Sequence, residues 1–163
     1  MRCQQQRGSA PGREARYLEG IGRYERAEAE RFPRVLDELV LAFEGTRRDA
    51  LGQIFMAMEL GNHWKAPFFT SHEVAYLMAS LTQGGAAATI ERQDFVTLWE
   101  PAFGAGPMVI ASAEVLLNVD IKPQQSLHVT NIDADDTARH MACLQLALLH
   151  IPTVIPHANA RSD

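Results

Sequence analysis

The chain has 163 residues, of which 47% are hydrophobic and 21% charged. That suits one folded domain, is too short for two full-sized ones, and excludes wholesale disorder. The net charge of −5 argues against a chain coated in basic surface. It is unevenly spread: residues 1–50 carry ten arginines against nine acids, and residues 51–163 carry five basic residues against 11 acids. The Arg-rich N-terminal part is thus self-neutralised, and reads as a solvated helix face with Glu/Arg pairs before it reads as a nucleic-acid patch.

Residues 1–16 are polar and punctuated by Gly and Pro, and are expected to be a disordered tail. From Tyr17 to Arg31 the chain is charged and helix-friendly. A firmer helix starts near Pro33, with Val35, Leu36, Leu39, Val40 and Phe43 at helical spacing. A second is expected over 47–60, with Leu51, Ile54, Phe55 and Met58 on one stripe, stopped by Gly61-Asn62. Thr70 and Glu73 have the spacing of a capping box and open a third helix. Its expected buried stripe is Val74, Leu77, Met78 and Leu81, and Met56, Met58 and Met78 read as core filler.

The period then changes. Residues 95–99 are β-branched and aromatic and predict a strand. Glu100 to Gly106 is a Gly-rich turn, and a helix follows over 107–119, where Pro107 suits the first turn. A second strand is predicted over 127–132, a strongly apolar helix over 137–150, and a third strand over 153–155. Strand, helix, strand, helix, strand implies an α/β fold with a parallel sheet.

No stretch approaches the roughly 20 apolar residues of a membrane span; the best, residues 107–117, is broken by Glu114. The N-terminus lacks the apolar run of a secretory signal. Cys3 and Cys143 are too few for a disulfide framework and read as free thiols in a reducing cytoplasm. The six histidines show no metal-ligand spacing, and Asp135 and Asp136 read as favourable charge at a helix N-terminus.

The chemistry concentrates where the first strand meets the Gly-rich turn. Gly104 and Gly106 let backbone approach a ligand closely, and the helix behind them points N–H groups at it. Asp133, after the second strand, is placed to accept the two ribose hydroxyls of a nucleoside. The dinucleotide fingerprint is incomplete: its third glycine is Val109 here. Asp133 follows Gly106 by 27 residues, further than the roughly 20 typical of NAD-binding domains. A tight turn that only packs the helix onto the strand explains the same residues, and spacing does not separate the two readings.

Gly61-Asn62-His63-Trp64-Lys65 with Phe68-Phe69-Thr70 resembles the G-N-K-W…Q-F-F-T-P segment of N6-adenine DNA methyltransferases. These are the type I restriction–modification subunits and their phage- and plasmid-borne relatives. Glu100-Pro101-Ala102-Phe103-Gly104-Ala105-Gly106 resembles their D-P-A-C-G-S-G loop. Thr130 to Asp136 is similar to their second motif, and His157-Ala158-Asn159 to the step after their third strand. The four pieces span roughly residues 50–160 in the family's order.

The resemblance implies S-adenosylmethionine as cofactor. Phe68, Phe69 and Thr70 would hold its methionine end. Glu100, Pro101, Gly104 and Gly106 would shape the loop beneath it, Asp133 would bind the ribose, and Asn159 would face the adenine edge. It further implies a partial Rossmann-like class I methyltransferase fold: a helical segment over 17–82, then the N-terminal half of the cofactor-binding domain over 83–163. The implied partners are DNA, through the complete family architecture, and specificity, restriction or complementing methyltransferase subunits.

The chain departs from the family pattern at Pro67, Ser71, Glu100, Phe103, Ala105 and Ala158. Phe103, in place of a cysteine, either packs between sheet and helix or obstructs the cofactor. The family's N-P-P-F or D-P-P-Y motif, which orients the flipped adenine, has no counterpart, since no Pro-Pro dipeptide occurs. The expectation is therefore a member inactive by itself. The alternatives are a non-catalytic module that binds cofactor or docks on partner subunits, and a nucleotide-dependent oxidoreductase. The first strand, lacking later strands on its far side, is expected to be an open apolar edge that promotes self-association.

Overall fold

The computed structural model describes residues 10–45, 47–58, 69–131, 133 and 135–154. The first helices are α1 (Ala10–Ile21), α2 (Arg26–Ala29), α3 (Phe32–Gly45) and α4 (Ala50–Ala57). Next come α5 (His72–Thr82), α6 (Ala86–Gln93) and β1 (Val96–Glu100). The chain continues through α7 (Pro107–Leu117), α8 (Pro123–Ser126), β2 (Leu127–Asn131), α9 (Asp136–Leu148) and β3 (Thr153–Val154). Helix α1 begins inside the stretch expected to be a disordered tail. Helices α6 and α8 go beyond the sequence pattern: the Ala-rich run 86–88 carries no apolar stripe, and α8 is a single turn opened by Pro123.

The three strands form one parallel sheet in the order β1-β2-β3. Val96 pairs with Leu127, Glu100 with Asn131, and Val129 with Thr153. This is a partial Rossmann-like arrangement preceded by helices, as the alternating strand and helix pattern implies. Among the described residues β1 lies at an edge, and no helix is long and apolar enough to cross a membrane.

Alternation along the strands sorts the sheet into two unequal faces. Leu127 and Val129 point to one face and are buried against Val109, Ile110, Ala113 and Leu116 of α7 and Ala142 and Leu146 of α9. Both crossover helices therefore cover the same face. On the other face Thr97, Trp99, His128 and Thr130 are exposed, Trp99 to 64%. Phe95, just before β1, stacks on His128 with ring centres 4.6 Å apart. Replacing fully buried Ile110 with alanine should destabilise the fold by about 2–5 kcal/mol, measurable as a shift of the urea midpoint.

A second packing layer lies outside α7. Ala75 and Ala79 of α5 are buried against Ala111 of α7, with Tyr76, Met108 and Val115 around them. Small residues at the contact let the two helices approach closely. That choice corrects the expected stripe: Val74, Leu77, Met78 and Leu81 face outward. The α3 stripe is likewise exposed at Val35, Leu36 and Val40, with Leu39 buried, and Ile54 and Met56 of α4 and Met58 at its C-cap are exposed too. The methionines read as core filler are thus on the surface. Helical periodicity identifies the apolar faces correctly, but the fold packs α5 on its alanine face.

Capping corrects two helix starts. Helix α5 has Ser71, not Thr70, as its N-cap. Helix α4 starts at Ala50 rather than near Arg47, because the Asp49 carboxylate accepts the Gly52 N–H at 2.8 Å. Asp135 caps α9 by accepting from the Ala138 N–H at 2.8 Å, as its charge and position suggest. Cys143 is disulfide-bonded, which corrects the expectation of a free thiol and removes the cysteine argument for a reducing cytoplasm. Cys3 lies outside the described residues.

Candidate functional site: the Gly-rich turn between β1 and α7

The turn is built by two glycines with left-handed backbones. Gly104 has φ +55° and Gly106 φ +100°, values that L side chains rarely adopt. The Gly106 N–H closes the turn on the Phe103 carbonyl at 2.9 Å, and Gly106 then serves as N-cap of α7. Phe103 is 2% exposed and belongs to the core between sheet and helices. Of its two expected placements, the structure shows the packed one.

Asp133 bridges this turn to the end of β2. Its Oδ2 accepts the Gly104 N–H at 2.8 Å, and its Oδ1 accepts the Asp135 N–H at 2.8 Å. The carboxylate is only partly buried, and each oxygen keeps a second lone pair. Phe69 completes the junction. A Cβ on Gly104 would lie 2.8 Å from the Phe69 ring, so the ring sits directly against the glycine. The Phe55 ring of α4 meets Phe69 edge-on, with centres 5.5 Å apart.

Three pieces more than 25 residues apart in sequence, Phe69, Gly104 and Asp133, are therefore brought together. Glu100 ends β1, half-buried, with its Oε1 accepting the Ala102 N–H at 3.3 Å. Pro101 follows it, also half-buried, and Gly106 is in the same turn. Thr70 is exposed just before α5. Phe68 and Asn159 lie outside the described residues, as do Gly61 to Lys65 and His157.

A buried polar network beneath the turn escapes motif reasoning. Gln145 of α9 is fully buried. Its Nε2 donates to Asp49 Oδ1 at 2.7 Å and to the Ala105 carbonyl at 3.0 Å. Its Oε1 accepts the Leu51 N–H at 2.9 Å. One amide thus joins α9, the start of α4 and the Gly-rich turn. The signals that point to it are a glutamine inside the apolar run Ala142 to Leu148, and an Asp three residues before a glycine.

Burial pushes the Asp49 carboxyl above its usual value of 3.8, more than the hydrogen bonds from Gln145 and Gly52 and the nearby His72 pull it down. A carboxyl raised on folding holds its proton more tightly in the folded state. Asp49 therefore withdraws stability as pH rises from about 3.8 through its folded-state pKa. Both hydrogen bonds fall on Oδ1, and the side-chain oxygen of an asparagine there would accept the same two. Asp49→Asn should therefore remove that decline and leave neutral-pH stability equal or higher, as read by urea unfolding from pH 4 to 8.

His72, expected at a surface or cap, is instead buried at the start of α5, with Nε2 3.2 Å from the Glu114 carboxylate of α7. Asn131 is also fully buried, and its side-chain amide finds no hydrogen-bond partner among the described residues. A cavity of about 540 Å³, bordered by Thr97, His128, Thr130 and Val154, lies at the exposed face of the sheet.

No protein-family model matches the chain, and no curated protein matches it. Among solved structures the chain is similar to a Listeria monocytogenes protein provisionally described as a class I S-adenosylmethionine-dependent methyltransferase. The TM-score is 0.47 and the identity 18%, over 58% of this chain and 27% of the other. The match thus spans about a quarter of that protein's length.

Proposed function

We propose that this chain is the cofactor-binding half of a class I S-adenosylmethionine-dependent methyltransferase, of the kind that acts on adenine N6 in DNA. A restriction–modification, phage or plasmid setting goes with that reading. The observation that carries it is the junction of Phe69, Gly104 and Asp133 at the C-terminal ends of β1 and β2, the usual ligand-binding side of such a sheet. The residues fit the cofactor. Asp133 has lone pairs left for ribose hydroxyls, and Gly104, with no side chain, lets the Phe69 ring close against the turn beside it. When bound, the cofactor supplies a methyl group activated on a sulfonium.

Catalysis needs groups that hold the acceptor amine, and this sequence has no Pro-Pro motif to do so. DNA, specificity and restriction subunits, or a complementing methyltransferase chain are the proposed partners. Calorimetric titration with S-adenosylmethionine should show saturable binding, while a radiolabel methyl-transfer assay on unmethylated DNA should show no turnover by this chain alone. Turnover would overturn the second half of the proposal, and NAD binding in preference to S-adenosylmethionine would overturn the first.

A non-catalytic docking module is the second reading. It is favoured by the engagement of both Asp133 oxygens with backbone N–H groups and by the exposed stripe of α5. A folded chain with no detectable cofactor binding would select it. Self-association is expected on either reading, because Trp99 on the edge strand and Leu77 and Leu81 of α5 are exposed. Light scattering should show mass rising with concentration, and the substitutions Trp99→Lys and Leu77→Lys should reduce it.

A further inference from the structure

We propose that Gln145 is a positioning residue for the Gly-rich turn: its buried amide, fixed by Asp49, holds the Ala105 carbonyl and so presets the backbone that receives the ligand. The inference deepens the cofactor reading and rests on it for the identity of the ligand. Its structural part stands without any ligand.

A left-handed turn of the sequence Gly-Ala-Gly has little to restrain it: alanine offers one methyl group, and glycine none. Ala105 is nevertheless fully buried, and its carbonyl points to Gln145 Nε2 at 3.0 Å. On the other side the Gly104 N–H is held by Asp133. Two peptide units of the turn, Phe103–Gly104 and Ala105–Gly106, are therefore tethered, one by Asp133 beyond β2 and the other from α9. Flexible turns lose entropy on binding, so a turn ordered in advance binds more tightly.

The amide itself cannot rotate freely. Its oxygen is held by the Leu51 N–H, and its second N–H by Asp49 Oδ1. Asp49 is in turn pinned by the Gly52 N–H. Every hydrogen-bonding atom of the Gln145 side chain that bears on its orientation is thus committed. The same link ties α4, which carries Phe55 against Phe69, to the turn that Phe69 covers.

The test uses the intact chain with two readouts. Amide hydrogen exchange in the free protein reports turn order, and calorimetric titration with S-adenosylmethionine reports binding. Gln145→Met keeps the side-chain length and removes all three hydrogen bonds. It should speed exchange at Gly104, Ala105 and Gly106 by about tenfold or more, and weaken binding by about tenfold, with core amides of α7 and β2 changing little. Asp49→Ala should do the same in part, while Asp49→Asn, which retains the Oδ1 acceptor, should restore wild-type behaviour in both readouts. A merely structural role would move turn and core amides together.

Wild-type exchange at the turn in Gln145→Met overturns the proposal, as does uniform loosening in Asp49→Ala; the second variant decides alone if the first does not fold. If the wild-type chain binds no S-adenosylmethionine while the exchange pattern appears as described, the cofactor reading fails and the positioning role stands.

Discussion

Asp133→Ala should lower affinity for S-adenosylmethionine by on the order of 100-fold, the largest binding effect expected from any single change outside the glycines. The residue has two tasks in this structure. It ties the Gly104 N–H to the end of β2 and the Asp135 N–H to the start of α9, and in the proposed complex it receives the ribose. Alanine loses both, leaving two N–H groups without their acceptor. Hydrogen bonds to a charged group contribute about 1.5–3 kcal/mol each, and about 1.4 kcal/mol corresponds to a factor of ten. Asp133→Asn should fall between, because its single oxygen can meet only one of the two backbone donors while its NH2 faces the other. Calorimetry on the three proteins, with circular dichroism to verify folding, checks the order. Equal affinities in all three would place the ligand somewhere else.

Gly52→Ala is expected to be the most destabilising single-methyl change, at about 3 kcal/mol or more, in the upper range for point substitutions. A Cβ there would collide with Asp49 Oδ2 and lie 2.6 Å from its carboxyl carbon. Asp49 is short, 2% exposed, and pinned by Gly52 N–H and Gln145, so it cannot step aside without abandoning both bonds. The cap of α4 would be lost together with the amide network that reaches Ala105. Gly20→Ala is the matched control. It lies near the end of α1 with open space around the new methyl, and alanine favours helix over glycine by up to about 1 kcal/mol. Urea unfolding should show a large loss for the first and none for the second.

The fold is readable where local pattern and tertiary use agree. Short β-branched strands alternating with apolar helices specify the parallel sheet, and Leu127, Val129, Ile110 and Leu146 are buried as their runs imply. The pattern fails on the outer helices. Val74, Leu77, Met78 and Leu81 have the period of a buried stripe, yet the α5–α7 contact uses Ala75 and Ala79. Hydropathy marks which face is apolar, not which neighbour is there to cover it, and small residues win where two backbones must approach closely.

The site divides in the same way. Gly104, Gly106 and Asp133 can be singled out because each role demands a residue type at a place: no side chain at positive φ, a carboxylate beyond a strand. Phe69 is found only through its resemblance to a motif, and its contact with Gly104 depends on a chain separation no periodicity encodes. Asp49 and Gln145 lie 96 residues apart, and nothing local announces their pairing. A polar residue in an apolar helix signals that some partner exists without naming it.

Binding of S-adenosylmethionine by the turn between β1 and α7 is tested residue by residue by resonance assignment followed by titration. Saturable amide shifts are predicted at Phe69, Gly104, Ala105, Gly106, Asp133 and Asp135, and their absence in Asp133→Ala. Saturable shifts confined to the uncovered face, at Thr97, His128 and Thr130, or no shifts at all from a folded chain, would contradict binding at this turn.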